Sequence, residues 1–219
     1  MPLATSVLTG LDPHWIELAT SLVASDSDSV AQIVADVDIY SRNTHLSLSL
    51  PQCAPRHVDV PPVACCVTCS LREALIDVLK EWSKSPYLDG VVIGLPAGIK
   101  AGYVVPLLLH CAAERGIALE LGQVVHVVDT TALGAQLAGT ERCRLCHALG
   151  EDPKDFTMAA LADADIVAAL GTDTTGSLLV DACGDAELRR VNSLADLRAP
   201  LVFSTSRIKP AWGEDGADE

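Results

Sequence analysis

The chain has 219 residues, of which 49% are hydrophobic and only 4% aromatic, so one domain can bury a core built mainly of Val, Leu, Ile and Ala. Fifteen basic against 29 acidic residues give a formal net charge of −14, which argues against direct binding of nucleic acid or an anionic membrane, because both require a basic face. No apolar run reaches the roughly 18 residues of a membrane span. The N-terminus has no signal-peptide pattern, so a cytoplasmic protein is expected.

Short apolar runs alternate with amphipathic segments along the chain. Strands are predicted at 3–9, 30–38, 46–50, 90–95, 124–129, 166–170 and 201–204. Helices are predicted at 13–24, 71–83, 101–115, from about 132, at 158–164 and through most of 185–198. The Pro-rich stretch 51–65 is predicted to be a loop. This alternation predicts an α/β fold, a mainly parallel sheet with helices on both faces, over residues 1–207, followed by an acidic flexible tail at 208–219.

Three of the eight cysteines fall within five residues, directly before a segment with helical periodicity: Cys65, Cys66 and Cys69. In a cytosolic protein such thiols are expected to be buried or to bind metal rather than to form disulfides. Thiolates three residues apart ahead of a helix can turn toward one soft metal ion, and the helix dipole favours their ionised form. Zinc is the preferred metal, although Cu(I) and Co²⁺ accept similar ligands. Cys53 or His57 could supply a further ligand from the preceding loop.

The segment 66–72, Cys-Val-Thr-Cys-Ser-Leu-Arg, resembles the Cys-x-Cys-Cys-Thr-[Leu/Val]-Arg motif of the CobW-type metal-chaperone GTPases, which are related to the HypB and UreG nucleotide-binding proteins. The run 124–130, Val-Val-His-Val-Val-Asp-Thr, is similar to a strand of that family, and the run 161–167, Leu-Ala-Asp-Ala-Asp-Ile-Val, to a later one. The resemblance spans roughly residues 3–205. It implies a P-loop-GTPase-like three-layer domain, the family's G-domain alone, that handles metal with a protein partner or metal client.

The nucleotide motifs of that family are altered at three places. The turn 9–16, Thr-Gly-Leu-Asp-Pro-His-Trp-Ile, keeps Gly10 but lacks the Lys and the Mg²⁺ hydroxyl, and Asp12 would repel phosphate. The turn 94–98 has no carboxylate for Mg²⁺. The run 170–173 keeps only Asp173 of the guanine-reading Asn-Lys-x-Asp. Gly10 and Asp173 are therefore the remaining candidate nucleotide contacts, and GTP binding is not expected.

Cys143 and Cys146 form a second Cys-x-x-Cys, followed directly by His147. The pair could be two thiols with no ligand, or it could complete a four-thiolate zinc site with Cys66 and Cys69. The string also matches c-type haem attachment, which is disfavoured because that reaction occurs outside the cytosol. The separation of the two pairs far exceeds the roughly 15–20 residues of a compact zinc ribbon, so only the fold could unite them.

The expected function is that of a zinc-binding, non-hydrolysing CobW-like protein in cytosolic metal homeostasis or zinc-responsive regulation, with no catalytic residue assigned. One alternative is an active GTP-dependent zinc or cobalt metallochaperone, which would bind guanine nucleotide with Mg²⁺ present. Another is a metal-free interaction scaffold, which would carry no metal when purified without chelator. Neither alternative is excluded by the residues.

Overall fold

The computed structural model describes residues 2–25, 27–63, 66–140, 143–170 and 183–191. The strands within these residues are β1 (Leu3–Thr9), β2 (Val30–Val37), β3 (Thr44–Ser49), β4 (Arg56–Val60), β5 (Gly90–Gly94), β6 (Leu119–Asp129), β7 (Ile166–Leu170) and β8 (Glu187–Val191). The helices are α1 (Pro13–Ala24), α2 (Val67–Trp82), α3 (Ala101–Glu114), α4 (Leu133–Leu137), α5 (Arg144–Leu149) and α6 (Pro153–Asp163). Within the described residues, no helix is long and apolar enough to cross a membrane.

The strands form one sheet in the order β4-β3-β2-β5-β1-β6-β7-β8. Every described pair is parallel except β2 with β3 and β3 with β4. The predicted α/β fold with a mainly parallel sheet is thus confirmed. The chain leaves the central strand β1 toward β2 on one side and later reaches β6 on the other. The carboxyl ends of β1, β5 and β6 therefore meet where the winding direction changes, which is where open α/β sheets bind ligands.

Helices cover both faces because the central strands are buried on both sides. Val7 of β1 belongs to the cluster that α2 and α3 close, whereas its neighbour Leu8 packs with Ile16 and Ala19 of α1. Successive strand residues point to opposite faces, so a continuous apolar run suits a strand between two helical layers.

Two predicted segments were wrong, and both contain edge strands. The stretch 51–65, predicted as a loop, contains β4, and the segment 185–198, predicted as mainly helical, contains β8. No β4 side chain is fully buried, although the half-buried Val58 and Val60 pack against the core, and β8 buries only Val191. An edge strand pairs on one side only and is less buried, so it can lack the continuous apolar run that reveals a central strand of this sheet.

Several bounds also differ from the predicted ones. Helix α2 begins at Val67 rather than at residue 71, β6 begins at Leu119 rather than at 124, and α5 was not predicted as a separate helix. The strand predicted at 201–204 and the tail 208–219 lie outside the described residues.

Candidate functional site

A cavity of about 490 Å³ opens at the carboxyl edge of the sheet. Its volume lies within the range of roughly 300–1,000 Å³ that is typical of small-molecule sites. The lining comes from the turn after β1, the connection from β2 to β3, the turn after β5 and the start of α5. The lining residues are Leu11, Pro13, Asp36, Val37, Asp38, Ile39, Tyr40, Ala97, Cys143, Arg144 and Leu145.

The turn after β1 is closed by the chain's own carboxylate. Asp12 is the N-cap of α1, and its Oδ1 accepts hydrogen bonds from the backbone N–H of His14 at 2.8 Å and of Trp15 at 3.4 Å. Pro13 is the first residue of the helix and has no N–H to donate. In a phosphate-binding turn these amides and the positive end of the helix dipole would face an anionic ligand. Here the Asp12 carboxylate already accepts hydrogen bonds from these amides.

Gly10 packs tightly beneath this turn. A Cβ on Gly10 would lie 3.1 Å from the carbonyl oxygen of Val127 and 3.1 Å from Cγ1 of Ile16. Its own carbonyl oxygen accepts a 3.0 Å hydrogen bond from the N–H of Gly98, in the turn after β5. Close approach of neighbouring backbone thus accounts for a glycine at this position. The other candidate nucleotide contact, Asp173, lies outside the described residues.

The first cysteine pair lies at the N-terminus of α2. Cys66 is the N-cap, and its Sγ accepts a 3.3 Å hydrogen bond from the N–H of Cys69 and lies 3.3 Å from Oγ1 of Thr68. Cys66 is exposed and Cys69 half-buried. Because α2 leads directly into β5, its N-terminus lies at the carboxyl edge of the sheet. Cys65 lies outside the described residues.

The second pair is arranged in the same way but is buried. Cys143 is the N-cap of α5, and its Sγ accepts a 3.1 Å hydrogen bond from the N–H of Cys146. The hydrogen bond with the Cys143 thiol, together with burial, raises the pKa of the Cys146 thiol far above its usual range. Both sulfurs lie close to Gly98, whose φ is +88°. A Cβ at that position would lie 2.6 Å from the Sγ of Cys143 and 2.7 Å from the Sγ of Cys146.

The two pairs do not meet in a common metal site in the part of the chain that the structure describes. No group of three or more His, Cys, Asp or Glu side chains there could hold a metal ion. The four-thiolate arrangement of Cys66 and Cys69 with Cys143 and Cys146 is therefore not assembled among these residues. His57, considered as a further ligand, belongs to β4, where its Nδ1 lies 3.0 Å from Oγ of Ser47 on β3.

The cavity also contains acidic residues that the sequence analysis did not single out. Asp38 accepts hydrogen bonds from the N–H of Tyr40 and the hydroxyl of Ser41, both at 2.8 Å, and these bonds lower the pKa of its carboxyl. Asp36 accepts a 2.8 Å bond from the N–H of Val37. Their place at the carboxyl end of an apolar strand was a usable signal, because such ends face the ligand edge of a parallel sheet.

Below the same edge lies a buried histidine. The Nδ1 of His126 on β6 is 2.9 Å from Oγ1 of Thr9 on β1, and its ring meets Phe156 edge-on at 5.9 Å between centroids. Burial lowers the pKa of His126 from 6.5 to about 4, so the ring is neutral at pH 7. His126 is therefore a buried residue of the strand core.

The mainly parallel sheet with helices on both faces and a cavity at its carboxyl edge defines a three-layer α/β domain. The solved structures that are similar include two of YjiA, a CobW-family GTPase. The Zn(II)-bound YjiA GTPase from E. coli has a TM-score of 0.52 and 15% sequence identity, covering 88% of this chain and 57% of that one. A Zn(II)-bound triple mutant of YjiA, with a glutamate and two cysteines replaced by alanine, has a TM-score of 0.54 and 16% identity, covering 88% of this chain and 58% of that one.

At this identity the likeness shows the fold alone. The chain spans less than three fifths of the length of the two YjiA chains. No protein-family model matches the chain, and no curated protein sequence matches it. The resemblance seen in the sequence is thus supported as a distant likeness in fold to the CobW and P-loop GTPases.

Proposed function

We propose that the protein binds zinc at the N-terminus of α2, does not hydrolyse GTP, and acts in cytoplasmic metal homeostasis or zinc-responsive regulation through a protein partner. Two features of the carboxyl edge together carry the proposal. Cys66 presents an exposed thiol, and in the turn after β1 the Asp12 carboxylate already accepts hydrogen bonds from the amides of His14 and Trp15. The thiol can bind a metal ion at this edge, whereas the occupied amides are not available to bind the phosphates of a nucleotide.

The residues present do not fit a bound nucleoside triphosphate. A phosphate would have to displace the Asp12 carboxylate from two amides and then lie beside it, with no lysine in the turn to offset the repulsion. A hydrogen bond to a charged group contributes about 1.5–3 kcal/mol, so the loss of several such contacts weakens binding by orders of magnitude. We therefore derive no step through GTP.

The residues at the start of α2 do fit a soft metal ion. The sulfurs of Cys66 and Cys69 lie on the same first turn, where the helix dipole favours thiolates. Cys65 is proposed as the third ligand from the same loop. A site of three ligands leaves one position of a zinc tetrahedron for a water or for a donor group of the partner. The two YjiA structures are of Zn(II)-bound proteins, which supports zinc as the metal.

An open site of this kind suits a donor or sensor rather than a structural role. Because one position stays available, a partner's ligand can join before the protein's thiolates leave, so zinc can pass between proteins without release to solvent. The formal charge of −14 favours a partner with a basic surface over nucleic acid or an anionic membrane. Such an association should weaken as salt rises.

Guanine nucleotide is expected not to bind at millimolar concentration with Mg²⁺ present. The reason is the internal carboxylate at the turn after β1 and the lack of a Mg²⁺ ligand in residues 94–98. Isothermal titration with GTP and GDP measures this, with the YjiA GTPase in the same buffer as positive control. A micromolar dissociation constant that weakens on Gly10→Val, where a side chain has no room, would instead favour the active GTP-dependent metallochaperone.

Zinc is expected at about one equivalent in protein purified without chelator, and Cys66→Ser/Cys69→Ser should lose it. The matched control is Cys183→Ser, which removes a thiol that is not a candidate ligand and should keep the metal. Metal content is read by atomic emission, with the melting temperature measured in parallel. An open site predicts little change in melting temperature on metal removal, whereas a closed four-thiolate site predicts a clear fall. Absence of metal from wild type would favour the metal-free scaffold.

A further inference from the structure

The buried pair Cys143 and Cys146 has a geometry that the metal proposal does not use. Both sulfurs lie within 2.7 Å of one point, the place where a Cβ on Gly98 would be, so the two thiols are immediate neighbours. The N–H of Cys146 donates to the Sγ of Cys143, and the two thiols are themselves hydrogen-bonded. Residues three apart on a helix have Cβ atoms about 5–6 Å apart, and a disulfide needs roughly 3.5–4.5 Å, so closing the bond requires a small backbone shift at the extended N-cap Cys143 as well as new rotamers.

The two sulfurs differ in access. Cys143 retains 8% of its exposure and lines the cavity at the carboxyl edge, whereas Cys146 has none. A reagent in the cavity therefore meets Cys143 first, and Cys146 can react only with the sulfur of Cys143. The next residue, Arg144, also lines the cavity. The solitary Cys183, in contrast, is buried and is not among the lining residues.

We propose that Cys143 and Cys146 are a redox-active dithiol that reacts with a low-molecular-weight disulfide entering the carboxyl-edge cavity. This goes beyond the proposed function and does not depend on it. The Cys143 sulfur, as thiolate, attacks one sulfur of the small disulfide, and the S–S bond of that disulfide breaks. The first small thiolate leaves and takes up the proton that Cys143 lost.

The mixed disulfide on Cys143 is then resolved inside the protein. The Cys146 sulfur loses its proton and attacks the sulfur of Cys143, and the second small thiolate leaves with that proton. Two electrons and two protons have passed from the cysteine pair to the small disulfide, which becomes two thiols. The protein gains a Cys143–Cys146 disulfide, and excess small thiol reverses the sequence.

The test uses the full chain with Cys53, Cys65, Cys66 and Cys69 changed to Ser, so that neither the exposed thiols nor a bound metal takes part. The protein is treated with oxidised glutathione under native conditions, and intact mass and peptide mapping are followed. Loss of two hydrogen atoms and a Cys143–Cys146 cross-link are expected. Cys146→Ser in this background should stop at one glutathione on Cys143, because the resolving thiol is gone. Cys143→Ser should take up no glutathione on Cys146.

The matched control is Cys183→Ser, which removes a buried thiol elsewhere and should leave the reaction unchanged. Modification of Cys143 should be at least about tenfold faster than that of Cys183, since reactivity follows access to the thiolate. Circular dichroism verifies that each variant is folded. The proposal is overturned if native protein never loses the two hydrogens while unfolded protein does, or if the Cys143→Ser variant accepts glutathione on Cys146 as fast as wild type does on Cys143.

Discussion

Acidification from about pH 7.5 to about pH 4.5 is expected to cost the protein about 2–3 kcal/mol of unfolding free energy through His126 alone. The ring is fully buried between Thr9 and Phe156, and burial lowers its pKa from 6.5 to about 4. In the unfolded chain His126 takes up its proton near pH 6.5, whereas in the folded chain it does so only near pH 4. Between these pH values the unfolded state therefore binds more protons than the folded state, so the fraction of unfolded protein rises as the pH falls.

The stabilisation from a neutral His126 is thus fully present above about pH 6.5 and is lost as the pH falls toward 4. Urea unfolding at a series of pH values measures it. The double variant Thr9→Val/His126→Phe removes both partners of the buried contact and should flatten the slope in that window. His110→Gln on α3 changes an exposed histidine and should leave the slope as in wild type. An equal slope in the double variant and in wild type would contradict the assignment.

Gly98→Ala is expected to lower the unfolding free energy by about 2–4 kcal/mol. Its φ of +88° disfavours any side chain, and the new Cβ would meet the sulfurs of Cys143 and Cys146 at 2.6 and 2.7 Å. Gly116 offers a matched control, because its φ is +68° and a Cβ there meets nothing within 4 Å. Gly116→Ala should therefore show the backbone strain alone, about 1 kcal/mol.

The clash can be separated from the strain by removing the sulfurs. In a Cys143→Ala/Cys146→Ala background, Gly98→Ala should cost no more than Gly116→Ala does. Thermal or urea unfolding of the four proteins gives the coupling between Gly98 and the pair as a double-mutant cycle. If Gly98→Ala proves as mild as Gly116→Ala in the wild-type background, α5 is held loosely and its contact with Gly98 does not constrain it.

The central strands and the helix α1 could be predicted from the sequence, whereas the strands at the two edges of the sheet and the start of α2 could not. The bounds of β1, α1 and β7 were predicted correctly, because buried strands are continuous apolar runs and Asp12-Pro13 is a strong helix start. Strand β4, in contrast, is held by its pairing with β3, and its residues Arg56–Val60 bury no side chain fully. The start of α2 was placed too late because its N-cap is Cys66, which is not among the usual capping residues.

The residues of the candidate site could be identified from the sequence, but their arrangement in space could not. The sequence shows two Cys-x-x-Cys pairs and an altered phosphate turn, and all three lie at the carboxyl edge. It does not show that one pair is exposed and the other buried against Gly98, since that difference depends on contacts between distant segments. The cavity is likewise invisible in the sequence, because Asp36 to Tyr40 and Cys143 to Leu145 meet only in the folded chain.

The hydrogen bond from the N–H of Gly98 to the carbonyl oxygen of Gly10 sets a condition on any attempt to give this fold a nucleotide. It joins the turn after β1 to the turn after β5, the two turns in which the nucleotide motifs are altered. A lysine engineered into the first turn would add a positive charge but would leave the Asp12 carboxylate on the amides of His14 and Trp15. Installation of the binding activity would therefore require replacement of Asp12 and Pro13 in the first turn, and any movement of that turn is coupled to the turn after β5 through this bond.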